Sequence, residues 1–113
     1  MLIYKIATGQ AWQEALAAGR YIGSADDLRD GFIHMSASAQ TRATLAKHFT
    51  AVADLVIVAV EAERLGCDLK WEVSRGGEKF PHLYTPLPIE AVVWWHPLTI
   101  AVDGTHPLPP AFI

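Results

Sequence analysis

Arg75, Glu78, His82 and Tyr84 crowd one short segment around a Gly76-Gly77 pair. Their types suit chemistry on a charged ligand. A guanidinium pairs with phosphate as a planar two-pronged donor. A carboxyl or an imidazole can move a proton once modest burial brings its pKa near neutrality. A phenol offers a ring to stack on and a hydroxyl to donate. A second pair, His34 and Ser36, stands two residues apart in Phe32-Ile33-His34-Met35-Ser36. On a strand that spacing presents an imidazole and a hydroxyl to one side.

The elements that position these groups follow from period and capping. Trp71 through Tyr84 alternates on both sides of the glycine pair, which predicts an antiparallel hairpin over 70–84. With Gly76-Gly77 as a two-residue loop, Arg75 faces Glu78, Val73 faces Phe80 and Trp71 faces His82. All six and Tyr84 then share a face. Pro81 lacks an amide hydrogen and places its strand at an edge or at a break in pairing. Leu2–Ile6 reads as a first strand, and Thr8 caps a helix through Trp12, Ala15 and Leu16 that ends at Gly19. Ser24 starts a brief helix with Asp26 and Asp27 in its first turn, and Gly31 stops it. Phe32–Ser36 reads as one strand. Ser36 or Ser38 then caps a helix in which Thr41, Leu45, His48 and Phe49 recur at helical spacing. Asp54 turns the chain into Leu55–Val60, apolar on both faces and therefore a central, doubly covered strand. Val92–His96 is the last strand. In Trp94-Trp95, alternation sends one ring to each face and at least one into the core.

Composition narrows the function classes. The chain has 113 residues, which favours one domain over 1–113. Its net charge of −3 argues against a broad nucleic-acid surface, although one phosphate group needs only an arginine or two. Cys67 has no partner for a disulfide, Met1–Lys5 does not resemble the start of a signal peptide, and no apolar run is long enough to span a bilayer. A soluble, cytoplasmic protein outside the membrane is the expectation. His34, His48, His82, His96 and His106 show no paired ligand spacing, so no metal site is expected. Cys67, in a Gly-Cys-Asp turn, is a poor nucleophile, and no dinucleotide fingerprint or phosphate-binding loop is present.

Tyr4-Lys5-Ile6, Asp30-Gly31-Phe32-Ile33-His34-Met35-Ser36, His48-Phe49 and the run from Trp71 to Leu87 resemble the domain of unknown function 952 family. The resemblance covers nearly the whole chain. That family is grouped by distant similarity with the ADP-ribosyltransferase-like fold, which binds NAD. The resemblance implies that His34 holds a ribose hydroxyl, with Ser36 two residues on, although Met35 stands where a small residue is common. It implies that Tyr84 or His82 lines a nicotinamide pocket. A late glutamate completes the transferase pattern, and the later acidic residues here, Glu90 and Asp103, are not in a recognisable context for it. RNA 2′-phosphotransferases, which share the fold, use histidines and an arginine, and His34, Arg75 and His82 suit that pattern better. The acidic pI opposes an RNA substrate.

The expectation is an α+β domain, ADP-ribosyltransferase-like, with two to three helices in its N-terminal half. It binds NAD, ADP-ribose or another phosphate-bearing nucleotide, as a transferase-type enzyme or a degenerate one. His82 and Glu78 are the acid–base candidates, with Glu90 the alternative. His34, Ser36, Arg75 and Tyr84 are the ligand-binding candidates. The rival expectation is a non-catalytic small-ligand domain using the same pocket. A weaker third is an interaction module built on Trp94, Trp95 and the proline-rich tail.

Overall fold

The Leu55–Val60 run is the middle of the structure because it can be buried on both faces, and β5 (Leu55–Glu61) is buried along almost its whole length. The structure is a computed structural model that describes residues 1–112, except for the side chain of Arg75. On one side of β5 runs β1 (Leu2–Thr8), paired from Leu2 opposite Glu61 to Thr8 opposite Leu55. On the other side runs β9 (Val92–Leu98). A two-residue strand, β4 (Ser36–Ala37), completes the sheet in the order β4-β1-β5-β9. β4 pairs with Ile3 and Tyr4, so among the described residues the β1 edge from Lys5 to Thr8 has no strand beside it on that flank.

The helices stand where their caps put them. α1 (Gly9–Ala18) begins at Thr8, whose hydroxyl accepts from the Ala11 amide, and ends at Gly19 in the left-handed region. α2 (Ala25–Asp30) begins in a reciprocal Ser24–Asp27 capping box and ends at Gly31. α3 (Ser38–His48) departs from expectation. Its N-cap is Ala37, which has no side-chain oxygen to offer, and Gln40 reaches back to accept from the Ala37 amide at 2.9 Å. Neither Ser36 nor Ser38 holds that position. These are the three α-helices among the described residues, and all lie in the first half of the chain.

Phe32–Ser36 is not one strand. β3 (Ile33–His34) pairs with one sheet and β4 with another, and Met35 is the crossing point, its amide donating to the Pro81 carbonyl at 3.0 Å. The second sheet has the order β3-β7-β6, from β6 (Leu69–Val73) and β7 (Lys79–Leu83). β7 is therefore central, not an edge. Pro81 is tolerated because the pairing with β3 stops at His34 opposite His82, next to it. A small ribbon of β2 (Arg20–Tyr21) and β8 (Leu87–Pro88) links the ends of α1 and of the second sheet.

The expected hairpin is present with a different register. Its loop has three residues, Arg75 to Gly77, closed by the Ser74 amide donating to the Glu78 carbonyl at 2.9 Å. Glu72 lies opposite Phe80, and Lys70 opposite His82. One extra loop residue moves each partner by one, and in a strand that exchanges the faces. Trp71 and Val73 thus leave the face of His82, and Glu72 takes their place.

Two apolar layers sandwich the main sheet. One gathers Ile3, Ala7, Trp12, Val58, Leu83 and Leu87 under α1 and the second sheet, and the other gathers Tyr4, Ile6, Leu45, Ile57 and Phe112 under α3 and the tail. The tryptophans take opposite faces as alternation requires, but neither enters the buried core: Trp94 is partly buried near Tyr4, and the exposed Trp95 meets the edge of Trp12. No helix among the described residues is long and apolar enough to cross a membrane.

Candidate functional site

Where β4 falls short, a cleft of about 920 Å³ opens along the free edge of β1. The start of α2 and the last turn of α3 flank it, and His34, Ser36 and His82 all line it. Lys5 and Asp27 lie at its base. Lys5 sits on the core-facing side of β1 between Ile3 and Ala7, and its ammonium lies 2.8 Å from Asp27 Oδ2. The same Nζ donates to the His34 carbonyl at 3.0 Å. Asp27 also accepts from the Ser24 amide at 2.9 Å and the His34 amide at 3.0 Å. Burial alone would push the Asp27 carboxyl up. The Lys5 charge and these donors outweigh it and hold the group below its ordinary value. For Lys5 burial is the larger effect and lowers the ammonium despite its partner.

His34 is tied at both nitrogens. Nδ1 lies 2.6 Å from Asp27 Oδ1 and Nε2 lies 2.9 Å from Asp30 Oδ2. Both partners are carboxylates, so the ring bridges Asp27, in the middle of α2, and Asp30, its last residue. Ser36 is buried, with its hydroxyl 3.2 Å from that of Thr44 on α3.

His82 is held differently. Its side chain is almost closed to solvent, and its ring stacks on Phe32 at 4.0 Å between centroids. Nδ1 lies 2.8 Å from Glu72 Oε1, while Nε2, itself closed to solvent, has no hydrogen-bond partner among the described residues. The Tyr84 hydroxyl donates to the same Glu72 oxygen at 2.6 Å. These two contacts, that from Tyr84 foremost, hold the Glu72 carboxyl below its ordinary value, and the Tyr84 phenol is correspondingly raised. The two histidine rings are 5.7 Å apart.

The expected site residues thus divide. His34, Ser36 and His82 meet in the cleft. Tyr84 is exposed, outside the cleft lining, and is linked to His82 through Phe32 and Glu72. Glu78 is exposed on the loop side of the hairpin, and Glu90 is exposed in the turn before β9, and neither lines the cleft. Ser74 lines the cleft, but the side chain of Arg75 lies outside the described residues. Glu72, Asp27 and Lys5 were not among the sequence candidates. Asp27 had a signal, since it is the third helical residue after the Ser24 cap. Lys5 had another, as a charge on the apolar face of a strand. Glu72 had none, because only the register puts it beside His82. Among the described residues, no group of three His, Cys, Asp or Glu could hold a metal ion.

An antiparallel α+β sandwich opened along one strand edge, with two histidines in the opening, defines the kind of protein this is. Residues 6–95 match the model of the family described as "Protein of unknown function (DUF952)", and the chain belongs to that family. It is similar to protein CC0527 from Caulobacter crescentus. The crystal structure of that protein is 53% identical with a TM-score of 0.91, covering 95% of this chain and 94% of that one. Its solution NMR structure is 55% identical with a TM-score of 0.83, covering 92% and 90%. No curated protein matches the chain.

Proposed function

We propose that the cleft binds a phosphate-bearing nucleotide of the NAD or ADP-ribose class, in an ADP-ribosyltransferase-like domain of transferase type. The observation that carries this is the meeting of His34, Ser36 and His82 in one cleft of about 920 Å³ along an unpaired strand edge. That volume is at the upper end of the roughly 300–1,000 Å³ of small-molecule sites, which suits a ligand larger than one ring. Lys47 lines the α3 side and makes no ion pair among the described residues, so it can face a phosphate. Arg75, beside the lining residue Ser74, is the second phosphate partner in this reading. His82 is the acid–base group, because Glu78 and Glu90 stand away from the lining.

One observation favours the rival, a non-catalytic small-ligand domain. Both nitrogens of His34 are engaged by carboxylates, which leaves the ring no free atom for a reacting group.

Thermal unfolding with NAD, ADP-ribose, AMP and adenosine separates the possibilities. NAD or ADP-ribose is expected to raise Tm in a concentration-dependent way, and adenosine much less. Calorimetric titration of Arg75→Lys and Arg75→Ala with ADP-ribose should show stepwise weakening, since lysine keeps the charge but loses the planar fork. Equal stabilisation by adenosine and ADP-ribose would defeat the phosphate reading. Saturable binding without turnover in the parent would favour the rival.

A further inference from the structure

Two histidines line the cleft, and they are not equivalent. His34 has both ring nitrogens within hydrogen-bond distance of carboxylates, Asp27 on one side and Asp30 on the other. His82 has one carboxylate, Glu72, on Nδ1, while its Nε2 is buried and has no hydrogen-bond partner among the described residues. An ionised carboxylate can only accept, so Glu72 fixes the proton of the neutral ring on Nδ1 and leaves the lone pair on Nε2. The Tyr84 hydroxyl on the same oxygen fixes the carboxylate in turn. Phe32 stacks on the ring and limits its rotation. A buried acceptor without a donor is costly, and a ligand that brings a donor recovers that cost on binding.

We propose that His82 Nε2 accepts a hydrogen bond from a sugar hydroxyl of the bound ligand, and that Glu72 is the positioning residue that gives Nε2 this polarity. This rests on the nucleotide reading of the cleft and assigns the sugar to His82 instead of His34. The ligand class is then a ribosyl compound presenting a free hydroxyl, with its anionic part directed to Lys47. His34 serves as the crosslink that holds α2 beside the cleft.

The experiment follows the imidazole nitrogens of His82 by long-range proton–nitrogen NMR, with ADP-ribose, ribose 5-phosphate and inorganic pyrophosphate as probes. In the free parent, Nδ1 should carry the proton and Nε2 should show the shift of an unprotonated nitrogen. ADP-ribose should move Nε2 saturably, and pyrophosphate, which has no hydroxyl, should not. Glu72→Gln removes the obligate acceptor at a half-exposed position, so the fold is retained even if His82 variants misfold. It should abolish the single-tautomer signal and weaken ADP-ribose about tenfold, while Glu90→Gln changes neither. If Glu72→Gln binds ADP-ribose as the parent does and Nε2 does not move, the inference falls and the nucleotide reading survives. If ribose 5-phosphate moves Nε2 and ADP-ribose does not bind, the nucleotide reading falls and the assignment of His82 stands. A free parent with the proton on Nε2, or Nε2 unmoved by either ribosyl probe, overturns the inference.

Discussion

Lys5 and Asp27 form an ion pair closed to solvent, 2.8 Å from Nζ to Oδ2, and the carboxylate in that pair also binds the main chain and the ring of His34. Strand β1, helix α2 and strand β3 are therefore joined at one point, directly beneath the cleft. The arrangement makes the geometry of the cleft depend on a pair that contributes little to stability against an apolar replacement but is costly to break.

Replacing one partner should show this. Lys5→Met leaves Asp27 buried without its countercharge and is expected to cost about 3–5 kcal/mol. Asp27→Asn leaves the ammonium in the same position and should also destabilise strongly. The double variant should lose less than the two single losses added together, by more than ~1 kcal/mol. Urea unfolding of the four proteins measures all three quantities. Additive losses would show that the two side chains do not depend on each other.

Acid should reveal the same carboxylate. Its folded pKa lies below the ordinary 3.8, so the unfolded chain takes up the proton first as pH falls. The stability contributed by Asp27 is therefore complete above about 3.8 and is lost as pH falls through the folded value. Stability measured by denaturant between pH 7 and pH 2 should have a steeper acid limb in the parent than in Asp27→Asn. Parallel limbs would remove Asp27 as the cause.

Gly23 and Gly19 offer a controlled comparison, because both adopt positive φ and only one is crowded. A Cβ at Gly19 would meet nothing within 4 Å, whereas one at Gly23 would lie 2.8 Å from the Asp27 Cβ. Gly19→Ala should cost about 1–2 kcal/mol, the penalty of a left-handed residue. Gly23→Ala should cost more, since Asp27 cannot shift without loosening Ser24, Lys5 and His34. Thermal unfolding ranks the two variants, and equal losses would mean that Asp27 yields freely.

Tyr84→Phe should act on Glu72 through one hydrogen bond. That hydroxyl is the main reason the Glu72 carboxyl lies below its ordinary 4.5, so its removal should raise the pKa toward that value. The His82 contact remains and keeps the shift from vanishing. A carbon-detected NMR titration of the Glu72 side chain reads the change directly. An unchanged midpoint would show that the 2.6 Å contact contributes nothing in solution.

Much of the fold was legible along the chain because its causes are local. Thr8 and Ser24 satisfy amides three residues ahead of them, and Gly19 and Gly31 accept the left-handed turn that ends a helix. The apolar run at Leu55–Val60 can be stable only where both faces are covered, and β5 is covered on both. Alternation likewise separated Trp94 from Trp95. Of the cleft lining, His34, Ser36 and His82 were legible as polar groups interrupting apolar strands.

What spacing along single elements left open was decided by tertiary structure, through three choices between elements. The loop after β6 has three residues where two were expected, and that step alone put Glu72 beside His82. The Phe32–Ser36 segment crosses from one sheet to the other at Met35, because Pro81 and a short β4 leave no continuous partner for a single strand. Lys5 could be buried only because Asp27, three elements further along the chain, arrives opposite it with its own donors already in place. Each outcome depends on a partner in another element, and spacing along one strand or helix does not contain it. The residue types of the site were therefore set by the sequence itself, while tertiary structure decided which histidine keeps a free nitrogen.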